Sequence, residues 1–187
     1  MNKKTIAINE EQYKEIVSTI RSGFLNSKGN ERIATALVLE ANLGLRISDI
    51  IKLKLNEIIK DGDRYRLDII EQKTQKKRVF TVPIELYQYI SQYCIDNGIK
   101  SNDIIFNLTE RQIQRHLKSV CDYLGYKGIS THSFRKFYAT NIYINNDYNI
   151  KLVQELLQHS SIAITQKYLG ISSKQLEKAI QNNLNLI

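Results

Sequence analysis

Residues 64–83 read RYRLDIIEQKTQKKRVFTVP, and this stretch decides the fold class. Two β-branched and aromatic runs flank a polar, basic turn, which is the pattern of a β-hairpin. On both sides the periodicity is helical. Upstream, Asn9 followed by Gln12 forms a capping box that opens a helix over 10–21, and Asn30 opens a second carrying ERIATALVLEANLG. That second helix is apolar nearly all round, as a buried central helix must be. Downstream come IELYQYISQYCIDNG and then LTERQIQRHLKSVCDYLG, where Thr109 and Gln112 form another capping box and Ile113, Leu117, Val120 and Leu124 make an apolar stripe. Further helices are predicted at THSFRKFYATNIYI, IKLVQELLQ and IAITQKYLG, with a last one over 172–185 carrying Leu176, Ile180 and Leu184. The expectation is a mainly α chain with a small antiparallel β-sheet, an α+β fold.

The 187 residues, 42% of them hydrophobic, suffice for one domain, expected to span 1–187. One proline, Pro83, and the lack of any Gly/Ser-rich stretch leave nothing to mark a linker. A net charge of +8 suits a polyanionic partner, nucleic acid first, because each neutralised phosphate releases counterions. Cys94 and Cys121 have neither CxxC spacing nor a partner histidine, so no disulfide framework and no metal site is expected. No apolar run approaches the roughly 18–20 residues of a membrane span, and MNKK leads to TIAINEEQ without an apolar signal region. A cytoplasmic place with no membrane partner follows as the expectation.

Five groups of residues bring chemistry. Arg46, in GLRISDI, follows a Gly-terminated helix and precedes Ser48, expected to cap the next short helix; taken alone, such an arginine pairs with a carboxylate such as Asp49. His132 and Arg135 in THSFRKF lie three apart, on one helix face, where an imidazole and a guanidinium suit a phosphate on which a proton moves. Lys73 sits in the basic turn with Lys76, Lys77 and Arg78, a set that either stays in water or enters a nucleic-acid groove. Arg111, Arg115 and Lys118 share the outer face of their helix, either solvated or facing phosphates. His159 and Tyr168, in QHSSIAITQKYLG, complete the set; a phenol of ordinary pKa near 10 needs nearby positive charge or a base to act as a nucleophile.

In order, Arg46, Lys73, His132, Arg135, His159 and Tyr168 resemble the signature of the tyrosine recombinases, the family of phage integrases and Xer-type recombinases, through LGLRISDI, EQKTQKKR, THSFRKFYAT and LLQHSSIAITQKY. The resemblance spans residues from about 30 to 170. It implies a site-specific recombinase that cleaves and rejoins duplex DNA with no metal and no cofactor. Tyr168 would form a 3′-phosphotyrosyl link, Arg46 and Arg135 would hold the phosphate, and Lys73 would protonate the 5′ leaving oxygen. His132 would assist proton transfer, His159 would hydrogen-bond the phosphate, and Asp49 would orient the site. It also implies a homo-tetramer on DNA, with accessory DNA-bending proteins as further partners. Two departures stand out: Gln158 where the family usually has glycine, and Lys136 where histidine is frequent. With about 30 residues ahead of the match, no N-terminal DNA-clamping domain is expected, and the chain reads as either a fragment or a short recombinase. The last helix is either core or an arm exchanged between protomers. Two other readings stay open: a non-cleaving DNA-binding regulator on the same fold, and a topoisomerase-like enzyme that nicks and reseals.

Overall fold

The computed structural model describes residues 5–170 and Gln181, so the predicted last helix over 172–185, with Leu176, Ile180 and Leu184, lies outside the described residues. The chain divides into two compact units, the first ending at Tyr138 and the second beginning at Ala139.

In the first unit α1 (Glu10–Ser22) starts from the capping box predicted at Asn9 and Gln12. It is followed by a minimal hairpin, β1 (Gly23–Phe24) and β2 (Ser27–Lys28), too short to leave a pattern in the sequence. Next, α2 (Glu31–Leu43) is capped by Asn30 and buried on most sides, from Ile33 through Leu37 to Leu43. It ends at Gly44, whose φ of 58° is left-handed and whose added Cβ would lie 2.3 Å from the Tyr138 ring. Only glycine meets both demands. The short α3 (Ile47–Ile50) has Arg46 at its N-cap, so Ser48 lies inside the helix rather than capping it. The reason is the chain direction: Arg46 is still extended, at ψ 151°, and its carbonyl accepts from the Asp49 and Ile50 amides.

The predicted hairpin is β4 (Arg64–Ile70) against β5 (Lys77–Val82), antiparallel, with Ile69 opposite Arg78 and Leu67 opposite Phe80. A third strand, β3 (Ile58–Asp61), adds to β4 through the tight turn at Gly62 and Asp63, giving the order β3-β4-β5. This strand was not expected from the sequence. One face of the sheet buries Leu67, Ile69 and Val82; α4 (Ile84–Asp96) follows, with Tyr87 stacked on Tyr65 of β4 at 3.7 Å between ring centres. The capped α5 (Glu110–Tyr123) buries Ile113, Leu117 and Val120 as its stripe predicts. One continuous apolar core runs from Ile8 to Phe134.

Helix α6 (Thr131–Asn145) begins in the first unit and ends in the second. The second unit continues with α7 (Ile150–Leu157), capped by Asn149, and α8 (Ile162–Leu169), capped by Ser161. Between them Gln158 takes a left-handed conformation, φ 54° and ψ 39°, which reverses the chain. The His159 amide closes the turn by donating to the Gln154 carbonyl at 3.0 Å. Among the described residues no helix is long and apolar enough to cross a membrane.

Candidate active site

Arg46 does not pair with Asp49, as its neighbourhood in sequence suggested. Its Nη1 donates to Glu71 Oε2 at 2.6 Å, and Glu71 is fully buried at the end of β4. The other oxygen, Oε1, accepts from Arg78 Nη1 at 2.9 Å, while Thr74 Oγ1 donates to Oε2 at 2.9 Å. Burial raises the Glu71 pKa, but the hydrogen bonds from Arg78 and Thr74 and the charge of Arg46 outweigh it and hold the carboxyl below its ordinary range. Glu71 is thus an ionised buried carboxylate, tolerable only because it is fully bonded.

Arg78 itself corrects the expectation that it faces DNA. It is 2% exposed, and besides Glu71 it donates to the carbonyls of Gly44 at 3.3 Å and Leu43 at 3.4 Å. Arg135, also buried, donates Nη1 to the same Gly44 carbonyl at 2.6 Å. Two guanidiniums therefore share the C-terminal end of α2, where the helix dipole is negative.

Asp49 is buried, and its Oδ1 accepts the backbone N–H of Gln72 at 2.7 Å, which ties the start of the Lys73 turn to α3. Burial raises its pKa. The turn is closed by Glu71 N–H to Lys76 O and Gln75 N–H to Glu71 O. Lys73 projects from it, exposed, with no ion pair among the described residues. His132 opens α6, one turn before Arg135. Its ring is partly shielded although the residue as a whole is open to solvent; that shielding, then the charges of Arg135, Lys73 and Arg46, hold its pKa below the ordinary value. The imidazole is neutral at neutral pH, and the charges of Lys73 and Arg46, both distant in sequence, act on it together with that of its helix neighbour Arg135.

In the second unit the rings of His159 and Tyr168 meet edge to face, centres 5.2 Å apart at 74°. His159 Nδ1 lies 3.1 Å from the hydroxyl of the buried Thr165. The nine-residue spacing is thus the path from the residue after the Gln158 turn, through Ser160 and the Ser161 cap, and along about two turns of α8. Sequence reasoning assigned Thr165 no part.

The remaining basic residues divide. Lys76, Arg111 and Arg115 are exposed; Lys77 binds Asp68 at 3.1 Å and Lys118 binds Asp122 at 2.7 Å, both at the surface. Lys136, at the other departure, donates to the Thr5 carbonyl at 2.8 Å. Besides Thr165, sequence reasoning missed Glu71 and Glu40. Glu40, on α2, is 1% exposed, and burial holds its carboxyl well above the ordinary range despite the charge of Arg135. Strict alternation would have found Glu71, since Leu67, Ile69 and Glu71 fall on one strand face.

The fold is that of recombinase catalytic domains. The chain superposes on the catalytic domain of bacteriophage HP1 integrase with a TM-score of 0.66 at 19% identity, covering 96% of both chains. The XerH site-specific recombinase, in a post-cleavage complex with a palindromic difH substrate, matches with a TM-score of 0.70 at 19% identity, covering 96% of this chain and 53% of that one. In sequence, the model of the phage integrase family matches residues 7–175. The probable integrase/recombinase YoeC of Bacillus subtilis is 30% identical over 164 residues, 84% of this chain and 86% of that protein. The tyrosine recombinase XerC of Caldanaerobacter subterraneus is 27% identical, with 95% of this chain covering 51% of it. The chain belongs to the phage integrase family, the tyrosine recombinases. It spans most of YoeC but only about half of the XerC relative.

Proposed function

We propose that the protein is a site-specific DNA recombinase that cleaves and rejoins duplex DNA through a phosphotyrosyl intermediate. The observation that carries the reading is the network in which the buried Glu71 takes Arg46 and the turn bearing Lys73, and Arg78 and Arg135 share the Gly44 carbonyl, with His132 one helix turn before Arg135. That arrangement suits a phosphate on which charge develops and a proton moves. DNA is the partner of XerH, of the Tn1549 integrase and of λ integrase in their complexes.

The step is a phosphoryl transfer. The Tyr168 Oη–phosphorus bond forms as the bond from phosphorus to the 5′ oxygen breaks; the phenolic proton passes to His132, and Lys73 gives a proton to the departing 5′ oxygen. One phosphodiester replaces another, so a 5′-hydroxyl can reverse the step and no energy source is consumed. Arg46 and Arg135 neutralise the non-bridging oxygens in the transition state, where losing one such donor costs about 3–4 kcal/mol. His159, oriented by Thr165, adds a hydrogen bond to the phosphate. Asp49 orients the Lys73 turn. Lys76, Lys77, Arg111, Arg115 and Lys118 contact the DNA backbone, and the enzyme works as a homo-tetramer on DNA.

The test is covalent capture. Nicked duplexes of random sequence, which lose the fragment carrying the 5′-hydroxyl, should become linked to the protein at a 3′ phosphate, and sequencing the captured strands yields a target site. Tyr168→Phe should capture none. An adduct formed by the phenylalanine variant would overturn the assignment of the nucleophile.

A further inference from the structure

We propose that Glu71 is a positioning residue that ties the lysine-bearing turn to the arginine it works beside, so that general acid and phosphate clamp are set by one buried carboxylate. The inference rests on the recombinase reading above and deepens it. A carboxylate buried to this degree must be satisfied on both oxygens, and each bond Glu71 accepts leads to a different part of the site. Through Oε2 it takes Arg46 at 2.6 Å and Thr74 at 2.9 Å; through Oε1 it takes Arg78 at 2.9 Å. Thr74 is the residue after Lys73, so the hydroxyl bond fixes the turn from which the ammonium projects. Arg78 reaches the Gly44 carbonyl on which Arg135 also rests. The turn is also held by backbone bonds across its own base, by the Asp49 and Lys52 contacts to Gln72, by the Gln75 side chain donating to the Gln72 carbonyl, and by the Lys76 N–H donating weakly to the Thr74 hydroxyl at 3.4 Å.

A different role is conceivable for such a cluster: Glu71 could serve only as counter-ion to Arg78 in the core. The two roles separate at Thr74. Its hydroxyl contributes nothing to neutralising Arg78, yet it is the link through which Glu71 reaches Lys73. Thr74 is half-buried on an exposed turn, and Thr74→Val preserves its shape, so folding survives where Glu71→Gln, which leaves Arg78 under-neutralised, risks losing it.

The experiment compares cleavage by the full chain on two versions of the captured nicked duplex, one ordinary and one with sulfur replacing the bridging 5′ oxygen. In the second the bond from phosphorus to sulfur breaks and a thiolate leaves with the electron pair. A thiol of ordinary pKa near 8.5 needs no proton donor, so a misplaced general acid does no harm. Thr74→Val should cleave the ordinary duplex about tenfold more slowly and the sulfur duplex within about twofold of the native protein. Thr74→Ser, which keeps the hydroxyl, should match the native protein within about twofold on both. Equal loss on the two duplexes, or no loss on either, would overturn the link between Glu71 and Lys73. Lys73→Ala is the reference: its rescue by sulfur together with no rescue of Thr74→Val sinks the link alone. Failure to rescue Lys73→Ala removes Lys73 as the acid, and the proposal with it.

Discussion

Arg78 separates a core ion pair from a DNA contact by two measurements that move independently. Its guanidinium is 2.9 Å from Glu71 Oε1, with the Arg78 and Glu71 side chains 3% and 0% exposed. Arg78→Ala leaves Oε1 of a dry carboxylate without its cation, removes the Arg78 donor from the Leu43 carbonyl, and leaves the Gly44 carbonyl to Arg135. Breaking a buried pair from one side costs about 3–5 kcal/mol, because the remaining charge keeps its desolvation penalty. For a domain of this size each kcal/mol corresponds to roughly 2–4 °C, so Tm should fall by on the order of 10 °C. The slope of log affinity for duplex DNA against log salt should stay where it is, since no phosphate contact is lost. A residue in the proposed DNA-facing set behaves oppositely: Arg111→Ala should flatten the slope by about 0.9 and leave Tm alone. Thermal melting and a salt titration of binding to a labelled duplex suffice. The reasoning fails if Arg78→Ala melts with the native protein and flattens the salt dependence.

Two further outcomes follow from the local physics. Gln158 holds φ 54°, a conformation that costs a residue with a Cβ about 1–2 kcal/mol, partly offset by the greater unfolded freedom of glycine. Gln158→Gly should therefore raise Tm by about 1–4 °C, and a fall would show that the side chain matters more than the backbone strain. Glu40 has a folded pKa raised well above 4.5, so the folded chain keeps a proton that the unfolded chain loses. Its contribution to stability is whole below that value and declines as pH rises toward the folded pKa. Glu40→Gln should thus gain stability relative to the native protein between about pH 5 and about pH 8 in urea unfolding; a difference constant with pH refutes it.

Much of the fold was legible because capping is local. Asn9 with Gln12, Asn30, and Thr109 with Gln112 each satisfy helix N–H groups three residues on, a requirement visible in the sequence without knowledge of anything distant. Strand β3 escaped because Ile58–Asp61 is only four residues long, although the Asp61-Gly62 dipeptide behind it is a hairpin signal. Ser48 misled because its residue type favours a cap, while the backbone turns helical one step after Arg46. The partner of Arg46 could not be read locally at all: Asp49 is near in sequence, but the carboxylate that meets it lies 25 residues on, delivered by sheet pairing.

The basic turn shows most clearly what composition hides. Lys73, Lys76, Lys77 and Arg78 look alike as charges, and a count of them argues for a phosphate-facing loop. A strand, however, alternates its faces, and the pairing of Ile69 with Arg78 continues the buried set of Leu67, Ile69 and Val82. Arg78 is on that inner face and Lys77 on the outer one, one residue away and 66% exposed at its side chain. The same alternation puts Glu71 inside, at the height where Arg78 enters. Two opposite charges on the inner face of one hairpin, seven residues apart, are legible as a buried pair once the period of two is applied through the charges as well as the apolar residues. A basic residue must be assigned to a face before it is assigned to a partner. On that rule the positive surface left for DNA is smaller than the net charge suggests, and part of the charge instead holds the site together from behind.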